Sequence, residues 1–177
     1  NEGLLLRERG ETDAAIAAFE HALTLEPASA AALWNLSDLL HSQHRDLDRS
    51  DDLLVRALAA GLPDGVDYAA GRAVLYARGG EPQRASRLLD RALEAAPADP
   101  RLHLLRGRFH MERRQCREAV ADFDAADPQS ALAQASAGLA RLCVGDAAGA
   151  ARNFRRSLEI DPNQPEIRRA LWQLGGR

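Results

Sequence analysis

The chain has 177 residues, of which 46% are hydrophobic and only 5% aromatic, and its net charge is −3. Alanine and leucine supply most of the apolar side chains, which favours helices, because strands draw on β-branched and aromatic residues. No run approaches the roughly 18 apolar residues of a membrane span, and no charged-then-apolar leader opens the chain, so a soluble, cytoplasmic protein is expected. All 23 basic residues are arginine, which excludes lysine Schiff-base chemistry and lysine-dependent phosphate loops.

The charge is unevenly distributed along the chain. Residues 1–100 hold 10 arginines and 17 acidic residues, whereas residues 101–177 hold 13 arginines and 9 acidic residues. The molecule is therefore expected to be electrically polar from end to end. Cys116 and Cys143 have no CxxC spacing and are too few for a disulfide scaffold, so we expect two buried free thiols in a reducing compartment.

Three segments share one internal spacing: residues 10–27, 80–97 and 145–162 each begin with glycine and end with proline. A small residue follows the glycine by five positions, a large one by nine, and a small residue and a leucine come next. These positions hold Ala15, Phe19, Ala22 and Leu23, then Ala85, Leu89, Ala92 and Leu93, then Ala150, Phe154, Ser157 and Leu158. Two weaker copies have His44 and Arg114 in the place of the glycine, which gives a period of about 34 residues.

The apolar spacing within each copy is helical, and the small residues allow a neighbouring helix to approach closely. Proline ends each of these helices, because the residue before a proline is disfavoured in the α region. A further helix is predicted after Ser29, after the Asp99-Pro100 pair and from Pro165, where caps or first-turn prolines are present. Each unit is therefore predicted to be a helix, a turn and a helix.

This pattern resembles the tetratricopeptide repeat family, whose unit of 34 residues reads W-x2-L-G-x2-Y in its first helix and G, A-I-x2-F-x2-A-L, P in its second. Gly3, Gly107 and Gly138 stand where the first helix has its small residue, whereas Arg72 and Arg106 stand where leucine is usual. The resemblance implies an all-α fold, a right-handed superhelical α-solenoid of antiparallel helix-turn-helix repeats whose first helices line a concave groove.

The register predicts a single array over residues 1–177. The predicted repeats are 1–29 (partial), 30–64, 65–98, 99–129 and 130–164, followed by a terminal capping helix at 165–175. In this register Asn1 falls in the middle of a first helix, so the chain is expected to begin partway through a repeat.

The histidines and serines do not form a recognisable chemical site. His41 and His44 share a helical face, but the acidic residues that could complete a metal site fall in the following turn. His103 and His110 lack a nucleophile partner, and no serine has a G-x-S-x-G setting, so we expect both histidines to serve packing or the groove. We therefore expect no enzymatic activity, no metal and no cofactor.

The arginine-rich run at residues 101–118 is interpreted as a solvated face, with an acidic-peptide groove as the alternative. Nucleic-acid binding is disfavoured, because the phenylalanines nearby occupy core places in the repeat. Trp34 and Trp172 are expected to fill seams between helices, although Leu33 could take the inward place instead of Trp34. Tyr76 is expected in the core.

The resemblance implies a protein-interaction scaffold that binds a peptide or helix of a partner protein in the groove, with acidic side chains as the complement of its arginines. Neither nucleic-acid binding nor membrane insertion is expected. Asn35 lies where some family members clamp a chaperone carboxylate, but the absence of lysine argues against that clamp. Two alternatives stay open: an accessory region of a larger enzyme, such as a transferase or hydroxylase, and self-association of the acidic half with the basic half of another copy. The groove candidates are Arg7, Asp38, His41, Arg78, Arg101, Leu104, Arg108, Met111, Leu139 and Leu142.

Overall fold

The structure is a computed structural model that describes residues 2–175, and within that range it contains eleven α-helices and no strand. Successive helices pack against each other in pairs, which confirms the all-α fold of helix-turn-helix repeats. The chain divides into two compact units, which we name unit 1 (Asn1–Pro97) and unit 2 (Ala98–Arg177). The extent of each repeat within a single array stays a prediction. Within residues 2–175, no helix combines the length and the apolarity needed to cross a membrane.

Unit 1 contains three helix pairs. They are α1 (Glu2–Glu8) with α2 (Thr12–Leu25), α3 (Ala30–Ser42) with α4 (Leu47–Ala59), and α5 (Gly65–Arg78) with α6 (Pro82–Ala95). Unit 2 contains two pairs and a final helix. They are α7 (Pro100–Glu112) with α8 (Cys116–Ala125), α9 (Ala131–Cys143) with α10 (Ala147–Ile160), and α11 (Pro165–Gly175).

The turn inside each pair needs one residue with left-handed backbone geometry. Gly10, Gly80 and Gly145 have φ angles of 76°, 84° and 83°, a region that glycine enters without steric cost. His44 and Arg114 hold the same place with φ angles of 51° and 60°. The weaker repeats therefore keep the turn geometry without the glycine, at the positions where the alignment places the turn.

The crossing of the two helices depends on a glycine that faces a phenylalanine ring. The α-carbon of Gly138 lies so close to Phe154 that an added Cβ would lie 2.5 Å from the ring carbon Cδ1. Gly107 has the same relation to Phe123, with an added Cβ 2.8 Å from Cδ1. The ring fills the space that the missing side chain leaves, and Phe154 is 0% exposed.

Helix ends follow the predicted signals in part. The helices α2, α6 and α10 each end two residues before the proline at 27, 97 or 162. Asp99 caps α7 by accepting hydrogen bonds from the backbone N–H groups of Arg101 and Leu102 at 2.9 and 3.4 Å. Ser29 occupies the cap position of α3 but makes no side-chain hydrogen bond there.

The two cysteines form a disulfide, so the expectation of free thiols is wrong. Cys116 is the first residue of α8 and Cys143 is the last residue of α9, and their Cα atoms are 6.0 Å apart. Since the two helices are consecutive and pack against each other, the start of one lies beside the end of the other. The disulfide thus joins two neighbouring repeats across 27 residues of sequence.

Candidate functional site

In unit 2, first helices of consecutive repeats form a cleft of about 220 Å³, which we call the unit 2 cleft. Arg108 and Met111 reach it from α7, and Leu139 reaches it from α9. Leu139 is 46% exposed, which is high for a leucine in a packed helix pair. Three of the predicted groove residues therefore meet at one place. The full lining is Arg108, Met111, Glu112, Phe123, Ser136 and Leu139.

The other predicted groove residues of unit 2 do not line this cleft. Leu104 is partly buried against the core around Phe123, and Leu142 packs against the core that contains Phe154. Arg101 donates hydrogen bonds to Asp99 from its backbone and from its side chain, whose terminal nitrogen lies 3.0 Å from Oδ2. Burial alone would raise the pKa of Asp99, but these bonds outweigh it and lower that pKa below its usual range.

In unit 1, a cleft of about 230 Å³ lies between α3 and α5, which we call the unit 1 cleft. Trp34 and Tyr68 stack beside it with ring centroids 3.9 Å apart and an interplanar angle of 16°. Asp38 and His41, both predicted groove residues, also contribute to its surface. Its lining consists of Trp34, Asp38, His41, Asp67, Tyr68, Gly71, Arg72 and Leu75.

Two further groove candidates lie around this region of unit 1. Arg7 on α1 forms an ion pair with Asp38 at 3.1 Å and a longer hydrogen bond to Asn35 at 3.4 Å. Arg78 is the exposed last residue of α5 and is not part of the cleft lining. Arg7 therefore contacts a residue of the cleft lining through its ion pair with Asp38, whereas Arg78 does not contribute to the cleft.

Only one of the two tryptophans, Trp34, fills a seam between helices, where it packs against the core and on Tyr68. Leu33 takes the buried place at 1% exposure, so Trp34 is left half-buried with its ring on Tyr68. Trp172 is 77% exposed on α11, and the expected seam position is wrong for it. Tyr76 is 5% exposed, as expected of a core residue.

A buried polar cluster lies directly beneath the unit 1 cleft, and sequence reasoning missed it. Arg72 is 5% exposed and donates hydrogen bonds to Ser37 Oγ and Ser50 Oγ, both at 2.9 Å. Its NH1 also lies 3.5 Å from Asp51. The sequence signal that could have revealed this cluster is an arginine at a position where the repeat pattern has leucine, together with serines at inward positions of α3 and α4. The two serines leave the room that the guanidinium occupies.

Burial dominates the pKa values in this cluster. It raises the pKa of Asp51, although Tyr76 and the neighbouring guanidinium groups act in the opposite direction. Burial together with the hydrogen bond to Asp51, at 2.8 Å, raises the pKa of Tyr76 to about 12. Burial also lowers the pKa of Arg72 and, with the positive charge of Arg72 next in importance, that of His41.

A second buried carboxylate organises the first pair of unit 2. Asp122 is 3% exposed and accepts hydrogen bonds from Arg106 Nε at 3.0 Å and NH2 at 2.7 Å. His103 Nδ1 lies 3.2 Å and His110 Nε2 3.5 Å from the same carboxylate. Both histidines thus pack against α8, in line with the packing role considered for them. Arg106, like Arg72, replaces a leucine of the repeat pattern and binds a buried acid.

No group of three or more histidine, cysteine, aspartate or glutamate side chains among residues 2–175 has the arrangement of a metal site. His44 lies exposed in its turn. These helix pairs form clefts between consecutive first helices, and the second helices support them. That arrangement defines the class of protein: an all-helical repeat protein of the solenoid type.

Comparison with known families agrees with this class. Residues 3–43 match the family model described as TPR repeat, and residues 66–109 match the one described as tetratricopeptide repeat. The chain therefore carries tetratricopeptide repeats, and the resemblance read from its sequence is confirmed.

Solved structures share the fold. The crystal structure of YrrB, described as a TPR protein with an unusual peptide-binding site, is 23% identical over 95% of this chain and 87% of its own, with a TM-score of 0.55. The second TPR domain of human RPAP3, in complex with an HSP70 peptide, is 22% identical over 62% of this chain and 93% of its own, with a TM-score of 0.57. The Sgt2 TPR domain from Aspergillus fumigatus is 25% identical over 62% of this chain and 76% of its own, with a TM-score of 0.56.

Proposed function

We propose that this chain is a protein-interaction module that binds an extended peptide segment of a partner protein in the unit 2 cleft and carries out no catalysis. The observation that carries the proposal is the meeting of Arg108, Met111 and Leu139 in one cleft. These residues come from two consecutive first helices, so an extended segment crossing both helices would contact a charged and an apolar group in turn.

The chemistry of the unit 2 cleft favours a partner segment that combines acidic and apolar side chains. Arg108 is exposed and has no ion-pair partner within residues 2–175, so its guanidinium can take a carboxylate. Met111 and Leu139 offer apolar contact, and the thioether of methionine adapts to varied shapes. Unit 2 holds 13 arginines and 10 acidic residues, which attracts acidic segments at long range.

Structural relatives support peptide binding in general. The RPAP3 domain was solved with the HSP70 peptide SGPTIEEVD, and a related first TPR of Spaghetti (RPAP3) with the HSP90 peptide SRMEEVD. Both peptides combine acidic and apolar residues. In this chain Asn35 directs its side-chain amide to the carbonyl of Ala31 at 2.7 Å, and no lysine is present, so the proposal relies on side-chain carboxylates.

Selection from a random heptapeptide display library, against the full chain at low salt, would test this function. Peptides that combine acidic residues with leucine, isoleucine or methionine should be enriched. Fluorescence polarisation of an enriched peptide should show binding weakened at least about tenfold by Arg108→Glu and by Leu139→Asp. Arg155→Glu is the matched control, because it makes the same charge change at an exposed arginine of α10 outside the cleft.

If the selected peptides bind the two cleft variants as tightly as the Arg155→Glu control, the unit 2 cleft is not the binding site. The SRMEEVD peptide is a useful comparison, because its affinity should not exceed that of the selected peptides.

A further inference from the structure

The unit 1 cleft differs chemically from the unit 2 cleft, because aromatic rings form one of its sides. Trp34 and Tyr68 lie nearly parallel, 3.9 Å apart, and Tyr68 is 39% exposed. Each ring covers one face of the other, and Trp34 also packs against the core, so the outward face of Tyr68 is what a ligand can reach. The face of an aromatic ring carries negative electrostatic potential and attracts cations.

Carboxylates form the second side of this cleft. Asp38 on α3 and Asp67 in the first turn of α5 both contribute to its lining. Asp38 already binds a guanidinium, that of Arg7, at 3.1 Å, and its side chain stays 33% exposed. The Asp38 carboxylate thus already binds one arginine of the chain itself.

The arginines around the cleft are engaged by partners within the chain: Arg7 is paired with Asp38, and Arg72 lies in the buried cluster. The Arg72 side chain is only 4% exposed, and its guanidinium binds Ser37 and Ser50 in the buried cluster, 3.5 Å from the carboxylate of Asp51. Burial and the nearby Arg72 lower the pKa of His41, which disfavours the charged form of its imidazole. Unit 1 as a whole holds 10 arginines and 16 acidic residues. This excess of acidic residues attracts basic segments at long range.

We propose that the unit 1 cleft binds an arginine side chain of a basic peptide segment in a partner protein, as a second site separate from the unit 2 cleft. The planar guanidinium can stack on the Trp34–Tyr68 pair and at the same time donate hydrogen bonds to Asp67. Leu75, which is 60% exposed at the same cleft, provides an apolar surface for the residue beside the arginine. A segment of alternating apolar and basic residues fits this arrangement.

The test uses the full chain with Trp172→Phe, which leaves Trp34 as the single tryptophan and a fluorescent reporter within the cleft. Three blocked tripeptides are titrated at low and high salt: Leu-Arg-Leu, Leu-citrulline-Leu and Leu-Glu-Leu. Citrulline keeps the shape of arginine and removes its charge. The arginine peptide should change Trp34 fluorescence and bind at least about tenfold more tightly than the other two, with an affinity that falls at high salt.

Variants assign the binding to the cleft. Tyr68→Leu removes one ring of the stack and Asp67→Asn removes one charge, and each should weaken arginine-peptide binding by about tenfold. Glu94→Gln is the matched control, because it makes the same charge change on the exposed part of α6 outside the cleft. Circular dichroism checks that each variant stays helical, and Asp67→Asn alone suffices for the test if Tyr68→Leu does not fold.

Equal binding of the arginine and citrulline peptides would overturn the inference, as would an Asp67→Asn variant that binds like the Glu94→Gln control. The unit 2 cleft is tested separately, because Arg108→Glu should leave arginine-peptide affinity unchanged. Failure of one proposal is therefore distinguishable from failure of the other.

Discussion

Substitution of Gly138 by alanine tests the helix crossing on which the repeat depends. The added methyl group would lie 2.5 Å from Phe154 Cδ1 and closer still to Cε1. The ring is 0% exposed, so it cannot swing into solvent to relieve the contact. We therefore expect the variant to be less stable than the wild type, although alanine is the better helix former.

The magnitude follows from two opposing effects. Overpacking of a tightly packed core costs up to about 3 kcal/mol. Replacement of a helical glycine by alanine returns about 1 kcal/mol. The net loss is about 2 kcal/mol, which corresponds to a decrease of about 10 °C in the melting temperature of a unit of this size. In the double variant Gly138→Ala, Phe154→Leu, the loss of stability should be about 1 kcal/mol smaller than the sum of the two single losses, because the two positions share one space.

Urea denaturation followed by circular dichroism measures these differences. Gly71→Ala on α5 is the matched control, since an added Cβ there meets no atom within 4 Å. That variant should be more stable than the wild type by about 0.5–1 kcal/mol. If Gly138→Ala proves as stable as Gly71→Ala, the glycine–phenylalanine contact does not determine the crossing.

Three further predictions concern Arg72, the disulfide and His41. Arg72→Leu should lower the free energy of unfolding by about 3 kcal/mol in urea titrations, because Asp51 would stay buried after losing a charged partner; an unchanged stability would contradict this. Reduction of the Cys116–Cys143 disulfide, which spans 27 residues, should lower the stability of unit 2 by about 3.5 kcal/mol in the chain-entropy treatment. Alkylation of the unfolded chain without reductant should label neither cysteine, and labelling of both would disprove the disulfide. The pKa of His41 is lowered in the folded state, so its contribution to the free energy of unfolding is complete above pH 6.5 and is lost as the pH falls below that value. The His41→Gln variant should therefore lose less stability than the wild type when the pH is lowered from neutral to acidic. Trp34 fluorescence in urea at each pH, in the Trp172→Phe background, measures that difference, and identical pH profiles with and without His41→Gln would contradict it.

The sequence alone predicts the repeating elements well. The places of Gly10, Gly80 and Gly145 predict the turns between paired helices, and the structure has turns with positive φ angles at all three. The alignment puts His44 in the place of the glycine in a weaker copy, and its φ angle is positive too. These features are predictable because they depend on residues near one another in sequence, where helix period and turn geometry set the pattern.

The candidate sites are predictable only in part. The sequence places Arg108, Met111 and Leu139 on first helices, and the structure brings them to one cleft. It predicts the same face for Leu104 and Leu142, yet both pack against cores and neither lines this cleft, whereas Met111 packs against the same core as Leu104 and also lines it. A helix has a continuous range of directions between its inward and outward faces. Which partly exposed leucine is covered therefore depends on how closely the neighbouring helix approaches, and the period does not give that distance.

The sequence by itself determines that this protein consists of paired helices with turns about 34 residues apart and small residues where a neighbouring helix approaches closely. Only the tertiary structure decides what the exceptions to that pattern do. Arg72 lies 22 residues from Ser50 and 35 from Ser37, yet it binds both in the core. Similarly, Tyr68 completes an aromatic pair with Trp34, and Cys116 meets Cys143. The physical reason is that helical periodicity assigns each side chain to a face of its own helix, whereas partners across helices are set by packing distances and crossing angles that arise when the repeats assemble.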